Sequence, residues 1–340
     1  MLRRKFCFLP FPPLLISPVN IVMASSNPPI TAPLKSRSET EKLLEKIFRM
    51  ATLAFAVGIG LILLIIAIVV FFESIPAMQQ SGLGFLFESQ WDPVRNVYGA
   101  LPVIYGTLVS AALSLLIAVP LGLGTAIFLS EDFIPLNIRT VLVFLVELLA
   151  AIPSVVYGLW GIFVLIPLIK PLGFWLHENF GWLPIFNTAP AGPGMLPAGM
   201  VLSIMILPII TAIARDSLAS LPPELRQASL GLGATRWETI FRVLVPAAFS
   251  GIVGGIMLAL GRAMGETMAV TMIIGNSNKL SISLLNPANT IASLLANQFA
   301  EASGLQVSAL MYAGLVLMVL TLVVNVLAEL IVNKVKAKYS

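Results

Sequence analysis

The stretch at residues 215–251 reads RDSLASLPPELRQASLGLGATRWETIFRVLVPAAFSG and separates two long apolar segments. Pro222–Pro223 precede a helix-like run, Gly231 and Gly233 interrupt it, and a second helix-like run follows. Most short loops between membrane helices are plain polar connectors. A compact helix–glycine–helix is instead shaped to dock into a groove of another protein outside the membrane. The stretch therefore predicts a cytoplasmic docking loop, which we place at residues 215–245.

The composition is that of a polytopic membrane protein. Of the 340 residues, 58% are hydrophobic and 11% are charged, whereas soluble domains average about 45–50% and about 25%. The formal net charge of +4 is better explained by basic residues on the cytoplasmic side of a membrane than by nucleic-acid binding. The single cysteine, Cys7, excludes an intrachain disulfide, and one histidine, His177, adds too little for a metal cluster. We therefore expect neither a metal site nor a cofactor bound by this chain.

Six apolar segments are each long enough to cross a hydrocarbon core of about 30 Å. They are predicted at Ala51–Phe72, Tyr105–Leu129, Ile138–Ile169, Leu196–Ala214, Pro246–Ile274 and Leu305–Val332. Pro120, Pro153 and Pro208 fall inside spans, where neighbouring helices can satisfy the freed carbonyl groups. The predicted fold class is all-α with six transmembrane helices. An apolar pattern at residues 291–299 also predicts a short amphipathic helix in the last outer loop.

The chain before the first span divides into two parts. Residues 1–37 are rich in proline and serine. They are expected to be a disordered cytoplasmic tail, or an extension upstream of a true initiator at Met23. Residues 38–50 carry apolar side chains at helical spacing, which predicts an amphipathic helix on the inner membrane face. The alternative is that residues 38–50 are a polar extension of the first span. In either case, residues 51–335 are predicted to form one transmembrane domain.

The basic residues predict the orientation in the membrane. If the N-terminus is inside, every Lys and Arg falls on the cytoplasmic side except Arg95, Lys170 and Lys279 in outer loops and Arg262 within a span. Basic residues collect on the cytoplasmic side of membrane proteins. Both termini are therefore predicted to be cytoplasmic, in a multi-pass protein of the plasma membrane.

The stretch Gly261–Thr271, GRAMGETMAVT, places two charges inside an apolar run. Arg262 and Glu266 are four residues apart, so on one helix they would share a face and neutralise each other. Glu147, in the third span, has no partner in its own segment. One interpretation is a structural ion-pair network that ties the third and fifth spans together. The other is a translocation site, where Arg262 binds a passing tetrahedral oxyanion and the acids hold it when the anion is absent.

The docking loop resembles the coupling motif of ABC importer permeases: Glu-Ala-Ala, three residues, Gly, nine residues and Ile-x-Leu-Pro. These positions are held here by Gln227, Ala228, Ser229, Gly233 and Pro246, with every spacing kept. Glutamine replaces the glutamate, and valines replace the isoleucine and the leucine. The resemblance implies the type I ABC importer permease fold, with these five residues docking a separate ATPase.

The stretch GRAMGETMAVTMIIGN, at Gly261–Asn276, is similar to the signature of PstC-type permeases of the bacterial phosphate importer. The related PstA-type permeases share its Arg-x-x-Gly-Glu-Thr, and the residues that follow favour the PstC type. The resemblance implies a phosphate permease of the bacterial inner membrane that works by alternating access, with Arg262 and Glu266 on the phosphate path. It also implies three kinds of partner: a PstA-type permease, two copies of a PstB-type ATPase and an external PstS-type phosphate-binding protein.

The sequence contains no G-x-x-x-x-G-K-[ST] loop to hold the phosphates of ATP. The chain is therefore predicted not to be an enzyme, and ATP and Mg²⁺ would be used by the partner ATPase. One alternative is a permease of the same fold for another oxyanion, such as molybdate or sulfate. A second is an ion-gradient-driven transporter or channel with a proton relay, against which the coupling loop and the lack of a duplicated half argue. An integral-membrane enzyme is the third.

Overall fold

The computed structural model describes residues 39–339, which are mostly helical. The predictions for residues 1–37 lie outside this part of the chain. The chain divides into two units, residues 1–61 and 62–340. In the first unit the described residues are the exposed N-terminal part of a long helix. All packing described below is within the second unit.

Four helices are long and apolar. They are α1 (Glu39–Ser81), α2 (Leu101–Ser130), α6 (Met195–Ala219) and α13 (Leu305–Tyr339). The shorter helices are α3 (Leu136–Ala151), α4 (Ser154–Trp160), α5 (Ile166–Phe180), α7 (Pro223–Gly231), α8 (Arg236–Thr239), α9 (Val245–Ala247), α10 (Phe249–Gly265), α11 (Met268–Ile273) and α12 (Ile291–Gln298). Gly161–Leu165 and Ile240–Leu244 are π-helical, and Gly82–Leu86 is a 3₁₀-helix. A small antiparallel hairpin joins β1 (Trp91–Asp92) to β2 (Val97–Tyr98).

In the described residues, five helical segments are long and apolar enough to cross a membrane, and one bent pair is long and apolar enough to be a sixth if it forms a single span. The five are Glu39–Leu86, Leu101–Ser130, Ser154–Phe180, Met195–Ala219 and Leu305–Lys334. The predicted first, second, fourth and sixth spans each lie inside one of these segments, and the all-α fold class is confirmed. α1 runs through residues 39–50 without a break, so this stretch is not a separate helix. Its position on the membrane surface stays a prediction.

The predicted third span, Ile138–Ile169, is wrong as a single helix, because an extended Ile152–Pro153 separates α3 from α4. Pro153 has no N–H to donate to the carbonyl of Leu149, and it disfavours the helical conformation of the residue before it. The hydroxyl of Tyr157, at 2.8 Å, and the backbone N–H of Ile152, at 3.4 Å, donate to that carbonyl. The membrane-length helix therefore starts after the proline, and the 16 residues of α3 reach only about 24 Å.

The predicted fifth span, Pro246–Ile274, is also wrong as a single helix. The segment that ends at Ala247 meets α10 at an angle of 70°, and Pro246 contributes to this bend because it cannot donate to the preceding turn. α10 ends at Gly265, since Glu266 is extended with ψ 124°. The chain becomes helical again only in α11.

α2 and α6 form the centre of the second unit. A Cβ on Gly122 would lie 3.0 Å from the side chain of Ile210, so glycine allows the two helices to approach closely. Thr211 Oγ1 also donates to the Gly122 carbonyl at 3.3 Å. α10 joins the same core through Ala259 and Ala263, both buried. Small residues at such contacts stabilise helix pairs in lipid by close packing, and they hold α10 in place.

The predicted short helix at residues 291–299 is confirmed as α12, which begins with a capping box between Thr290 and Ser293. The indole N–H of Trp91 donates to Gln298 Oε1 at 2.8 Å and attaches the hairpin to this helix. The backbone N–H of Ile291 donates to Thr107 Oγ1 of α2 at 3.0 Å. The long segment between α11 and α13 is thus fixed to the helical core.

Candidate functional site

The loop between α6 and α10 folds as two short helices joined by a glycine turn. α7 starts at a proline, which suits the first turn of a helix because its missing N–H would have no partner there. Gly233 has φ +87° and ends α7 in a conformation that favours glycine. α8 starts with a capping box between Thr235 and Glu238. The local sequence therefore forms the helix–glycine–helix that its pattern predicts.

The predicted docking residues differ in what they contact. Gln227, Ala228 and Pro246 are exposed and available to a partner. Ser229 is half-buried, and its Oγ lies 2.9 Å from Oγ1 of the buried Thr239. This hydrogen bond holds α7 against the second helical run, so Ser229 stabilises the loop from within.

A bidentate ion pair attaches the docking loop to the transmembrane helices. Arg226 of α7 donates to Glu131, at the end of α2, from Nη2 to Oε1 over 2.9 Å and from Nε to Oε2 over 3.4 Å. Nη2 also donates to the carbonyl of Leu218 in α6 at 3.1 Å. The two charged side chains are 24% and 16% exposed. One arginine thus joins the docking helix to the ends of both central helices, which sequence reasoning did not foresee.

Arg262 lies in the last turn of α10, is exposed, and forms no ion pair with any residue in the described part of the chain. The predicted pairing with Glu266 is wrong because α10 ends between the two residues. Glu266 Oε1 accepts from the backbone N–H of Ala269 at 3.3 Å, at the start of α11.

Glu147 of α3 pairs with Arg215 of α6, with Oε1 3.6 Å from Nη1. Arg215 also binds the neighbouring Asp216 at 2.8 Å. The structure therefore does not bring Glu147 and Arg262 together, and the ion-pair network between the third and fifth spans does not form among residues 39–339. Glu147 instead links α3 to the fourth span. No group of three or more His, Cys, Asp or Glu side chains comes together in the same residues.

Arg262 lines an open groove of about 760 Å³ between α6, α10 and α13. Gly254 and Gly261 form part of its wall, and a Cβ built on either would meet no atom within 4 Å. The other polar side chain among the described residues of the wall is Asn325 of α13, whose Oδ1 is buried without a hydrogen-bond partner. The groove can therefore accept a small polar ligand beside one guanidinium and one amide.

Sequence reasoning did not single out Asn325, although a signal exists. The stretch LTLVVNVLAEL at Leu320–Leu330 places Asn325 between Thr321 and Glu329, which lie one turn away on either side, in a helix that is otherwise apolar there. Polar residues inside membrane helices are costly and are often functional. The sequence pattern therefore identifies Asn325, but only the folded structure shows that Asn325 and Arg262 line the same groove.

Comparison with known proteins agrees with this architecture. Residues 118–337 match the family described as binding-protein-dependent transport system inner membrane component. The chain is 17% identical to a permease chain in the crystal structure of a bacterial ABC transporter involved in the import of the acidic polysaccharide alginate. The match covers 86% of this chain and 98% of that one, with a TM-score of 0.51. At this identity the likeness concerns the fold alone, and it confirms the type I importer permease architecture.

Closer relatives are phosphate transport system permease proteins named PstC. The protein from Pasteurella multocida is 44% identical over 89% of this chain and 98% of its own length. The protein from Haemophilus influenzae is 45% identical over 86% and 94%, and a probable PstC from Methanocaldococcus jannaschii is 38% identical over 85% and 94%. Matches of this identity and coverage establish descent from a common permease. The chain therefore belongs to the binding-protein-dependent transport system inner membrane components and, among them, to the PstC family of multi-pass membrane permeases.

Proposed function

We propose that this chain imports inorganic phosphate as one permease subunit of an ATP-driven complex, and that phosphate passes Arg262. The relatives named above are phosphate permeases, which supports the substrate. The observation that carries the proposal is the guanidinium of Arg262, which lines an open groove and has no counter-charge among the described residues. A single charge at membrane depth costs about 2.5–3.5 kcal/mol on insertion scales. A passing oxyanion supplies the missing partner.

The chemistry of arginine suits this anion. Guanidinium stays protonated at every relevant pH and presents parallel N–H donors that match two oxygens of a tetrahedral oxyanion. Glu266 follows in the break after α10, and we propose that its carboxylate lies near the path. A negative charge there weakens anion binding, so the ion can leave as well as enter. For Glu147 we propose an indirect part, because its ion pair with Arg215 connects α3 to α6.

The docking loop supplies the connection to ATP. Gln227 and Ala228 are exposed on α7, and we propose that this helix enters a groove of a PstB-type ATPase that binds ATP and Mg²⁺. Glutamine at position 227 keeps hydrogen-bonding capacity without charge. The proposed complex contains this chain, a PstA-type permease, two ATPase copies and an external PstS-type binding protein. It lies in the bacterial inner membrane with both termini of this chain in the cytoplasm.

The contacts suggest how movement would pass between the two sites. ATP brings the ATPases together and moves α7, which Arg226 ties to α2 and α6. α6 packs against α10, where a Cβ on Gly255 would lie 3.0 Å from Ile213. Displacement of α7 therefore shifts the helix that carries Arg262. The groove would then open to one side of the membrane and afterwards to the other.

Replacing Arg262 tests the proposal. In proteoliposomes that contain the full complex, Arg262→Gln is expected to lower ATP-dependent uptake of labelled phosphate by at least about tenfold, because one charge-assisted contact is lost. Arg262→Lys keeps the charge without the planar fork and is expected to retain partial uptake. Arg95→Gln makes the same charge change at a side chain 80% exposed and should transport normally.

Two results would contradict the proposal: one concerns the role of Arg262, and the other concerns the identity of the substrate. Undiminished phosphate uptake by Arg262→Gln, in a complex that still contains its ATPase, contradicts the proposed path. Uptake of sulfate or molybdate in preference to phosphate by the wild-type complex supports the alternative oxyanion. ATPase copurification and basal ATP hydrolysis are measured in parallel, so that failed assembly is not mistaken for failed transport.

A further inference from the structure

Among the described residues, Asn325 is the one asparagine that lines the Arg262 groove. The hydrogen-bonding capacity of its carboxamide is not fully used by its surroundings. Oδ1 is enclosed and accepts no hydrogen bond from the described residues. Nδ2 donates no hydrogen bond to any described residue and is not enclosed, so it is free to donate to a ligand. The residue itself is only partly buried.

Such an asparagine is hard to explain as a structural residue. A buried polar atom without a partner destabilises a fold, while an apolar residue of the same shape is often neutral or stabilising. The two residues on each side of Asn325 in α13 are apolar, so leucine would suit the helix at this position. The unpaired amide lowers the stability of the folded protein, so a role in ligand binding explains its presence better than a role in packing does.

The groove also limits which ligand the amide meets. In its described wall, Arg262 and Asn325 are the polar side chains, and apolar residues and glycines complete it. Gly254 and Gly261 leave open space beside α10, so an ion can approach between the two helices. The amide N–H₂ and the guanidinium are both hydrogen-bond donors. Two donor groups in an apolar groove select a ligand with several acceptor oxygens.

We propose that Asn325 is a second binding residue for the transported oxyanion, donating from Nδ2 to an oxygen of the ion held by Arg262. This inference rests on the proposed function, because it assigns a further ligand to the same path. The two donors reach the ion from different helices, α10 and α13. Relative movement of these helices therefore changes how many hydrogen bonds the ion receives, and the ion is released when the donors separate.

The experiment compares Asn325→Leu with Thr321→Val in the purified complex. Thr321 lies one turn away on α13, bonds only the carbonyls of Leu317 and Met318, and does not line the groove. Two quantities are measured: ATP-dependent phosphate uptake by the full complex, and the rise in thermal midpoint on adding inorganic phosphate to the complex without its external binding protein. The second readout reports binding without turnover, since a ligand that binds the folded state stabilises it.

Asn325→Leu is expected to raise the thermal midpoint without phosphate, to lower uptake about tenfold for one lost hydrogen bond, and to reduce the phosphate-induced shift. Thr321→Val is expected to keep uptake within about twofold and to keep the full shift. Unchanged uptake and an unchanged shift in Asn325→Leu overturn the inference. If the leucine variant does not assemble, Asn325→Ser decides, because its shorter hydroxyl keeps a donor and should retain part of the shift.

Failure of this inference is distinct from failure of the proposed function. If the wild-type complex takes up no phosphate, or if Arg262→Gln transports normally, the proposed function is wrong. If Arg262→Gln abolishes uptake while Asn325→Leu leaves it intact, the path is right and Asn325 does not bind the ion. A phosphate-induced shift that persists in Arg262→Gln shows binding elsewhere, which overturns the assigned ligand set.

Discussion

Gly233 has φ +87°, and a Cβ built on it would meet no atom within 4 Å. Its requirement for glycine therefore comes from backbone conformation and not from crowding. Gly231, two residues earlier, has equally open space but no positive φ. The two glycines therefore differ in backbone conformation and not in the space around them. Only Gly233 fixes the direction in which the chain leaves α7.

We predict that Gly233→Ala weakens ATPase docking while Gly231→Ala does not. A left-handed conformation costs an alanine about 1–2 kcal/mol, which would tilt α8 away from its position relative to α7. Gly231→Ala should be neutral or slightly stabilising, because alanine favours the helix. Copurification of the ATPase with each variant measures the effect. Equal ATPase recovery with both variants would contradict the proposed importance of the turn.

Single residues were predictable where their chemistry does not depend on their neighbours. Arg262 is conspicuous because a charge in an apolar run has few explanations, and the spacing around Gly233 identifies the docking loop. The absence of an ion pair for Arg262 among the described residues was not predictable, since the four-residue rule assumes an unbroken helix and α10 ends at Gly265. The partner of Glu147 comes from a different span, which no local pattern indicates.

At the scale of elements, the junction of α7 with α2 and α6 determines how the docking loop moves. The Arg226–Glu131 pair is bidentate and only 24% and 16% exposed. The Arg242–Glu238 pair in the same loop is longer, at 3.9 Å, and its side chains are 79% and 45% exposed. Exposed pairs contribute little, whereas removal of one partner from an enclosed pair leaves an uncompensated charge.

We predict that Arg226→Glu uncouples transport from ATP hydrolysis and that the double exchange Arg226→Glu with Glu131→Arg restores it in part. The single reversal places two carboxylates together and separates α7 from α2, so uptake per ATP should fall about tenfold, within the interaction energies of contacting residues. The control, Arg242→Glu, should change the uptake per ATP hydrolysed by less than about twofold. Measuring uptake and hydrolysis in the same proteoliposomes gives this ratio.

The double exchange decides between a specific contact and general damage to the loop. If the ion pair acts as a link, the exchanged pair recovers coupling that neither single variant has. If the double variant is as uncoupled as Arg226→Glu alone, position 226 requires arginine for another reason, such as its bond to the Leu218 carbonyl.

Length and apolar character predicted four spans well, but they did not predict where helices break. Pro153 and Pro208 both lie in apolar segments, yet α6 continues through Pro208 and the third span breaks at Pro153. The difference depends on the surroundings: at the break, the Leu149 carbonyl that Pro153 cannot bond accepts from the hydroxyl of Tyr157 and the N–H of Ile152. A sequence shows the proline and not the hydroxyl that accommodates it.

For the whole molecule, the number of crossings decides the orientation of both ends. Five segments of the described chain qualify as spans on their own, and the bent pair Arg236–Ala247 with Phe249–Gly265 adds a sixth only if it crosses the membrane. Five crossings would place the two ends on opposite sides, and six would place them on the same side. The distribution of basic residues favours six, because it places residues 215–245 and both ends together inside.

Cysteine labelling tests this topology. In a Cys7→Ser background, which removes the only cysteine, single cysteines are introduced at Ser89, Ser220 and Ser303, all exposed in this chain. We predict that a membrane-impermeant maleimide labels positions 89 and 303 in intact spheroplasts and position 220 only after permeabilisation. Positions 220 and 303 flank the bent pair, so labelling of both from one side would show that α10 enters the membrane without crossing it. Arg262 would then lie on a re-entrant segment open to that side alone, and alternating access past it would be excluded.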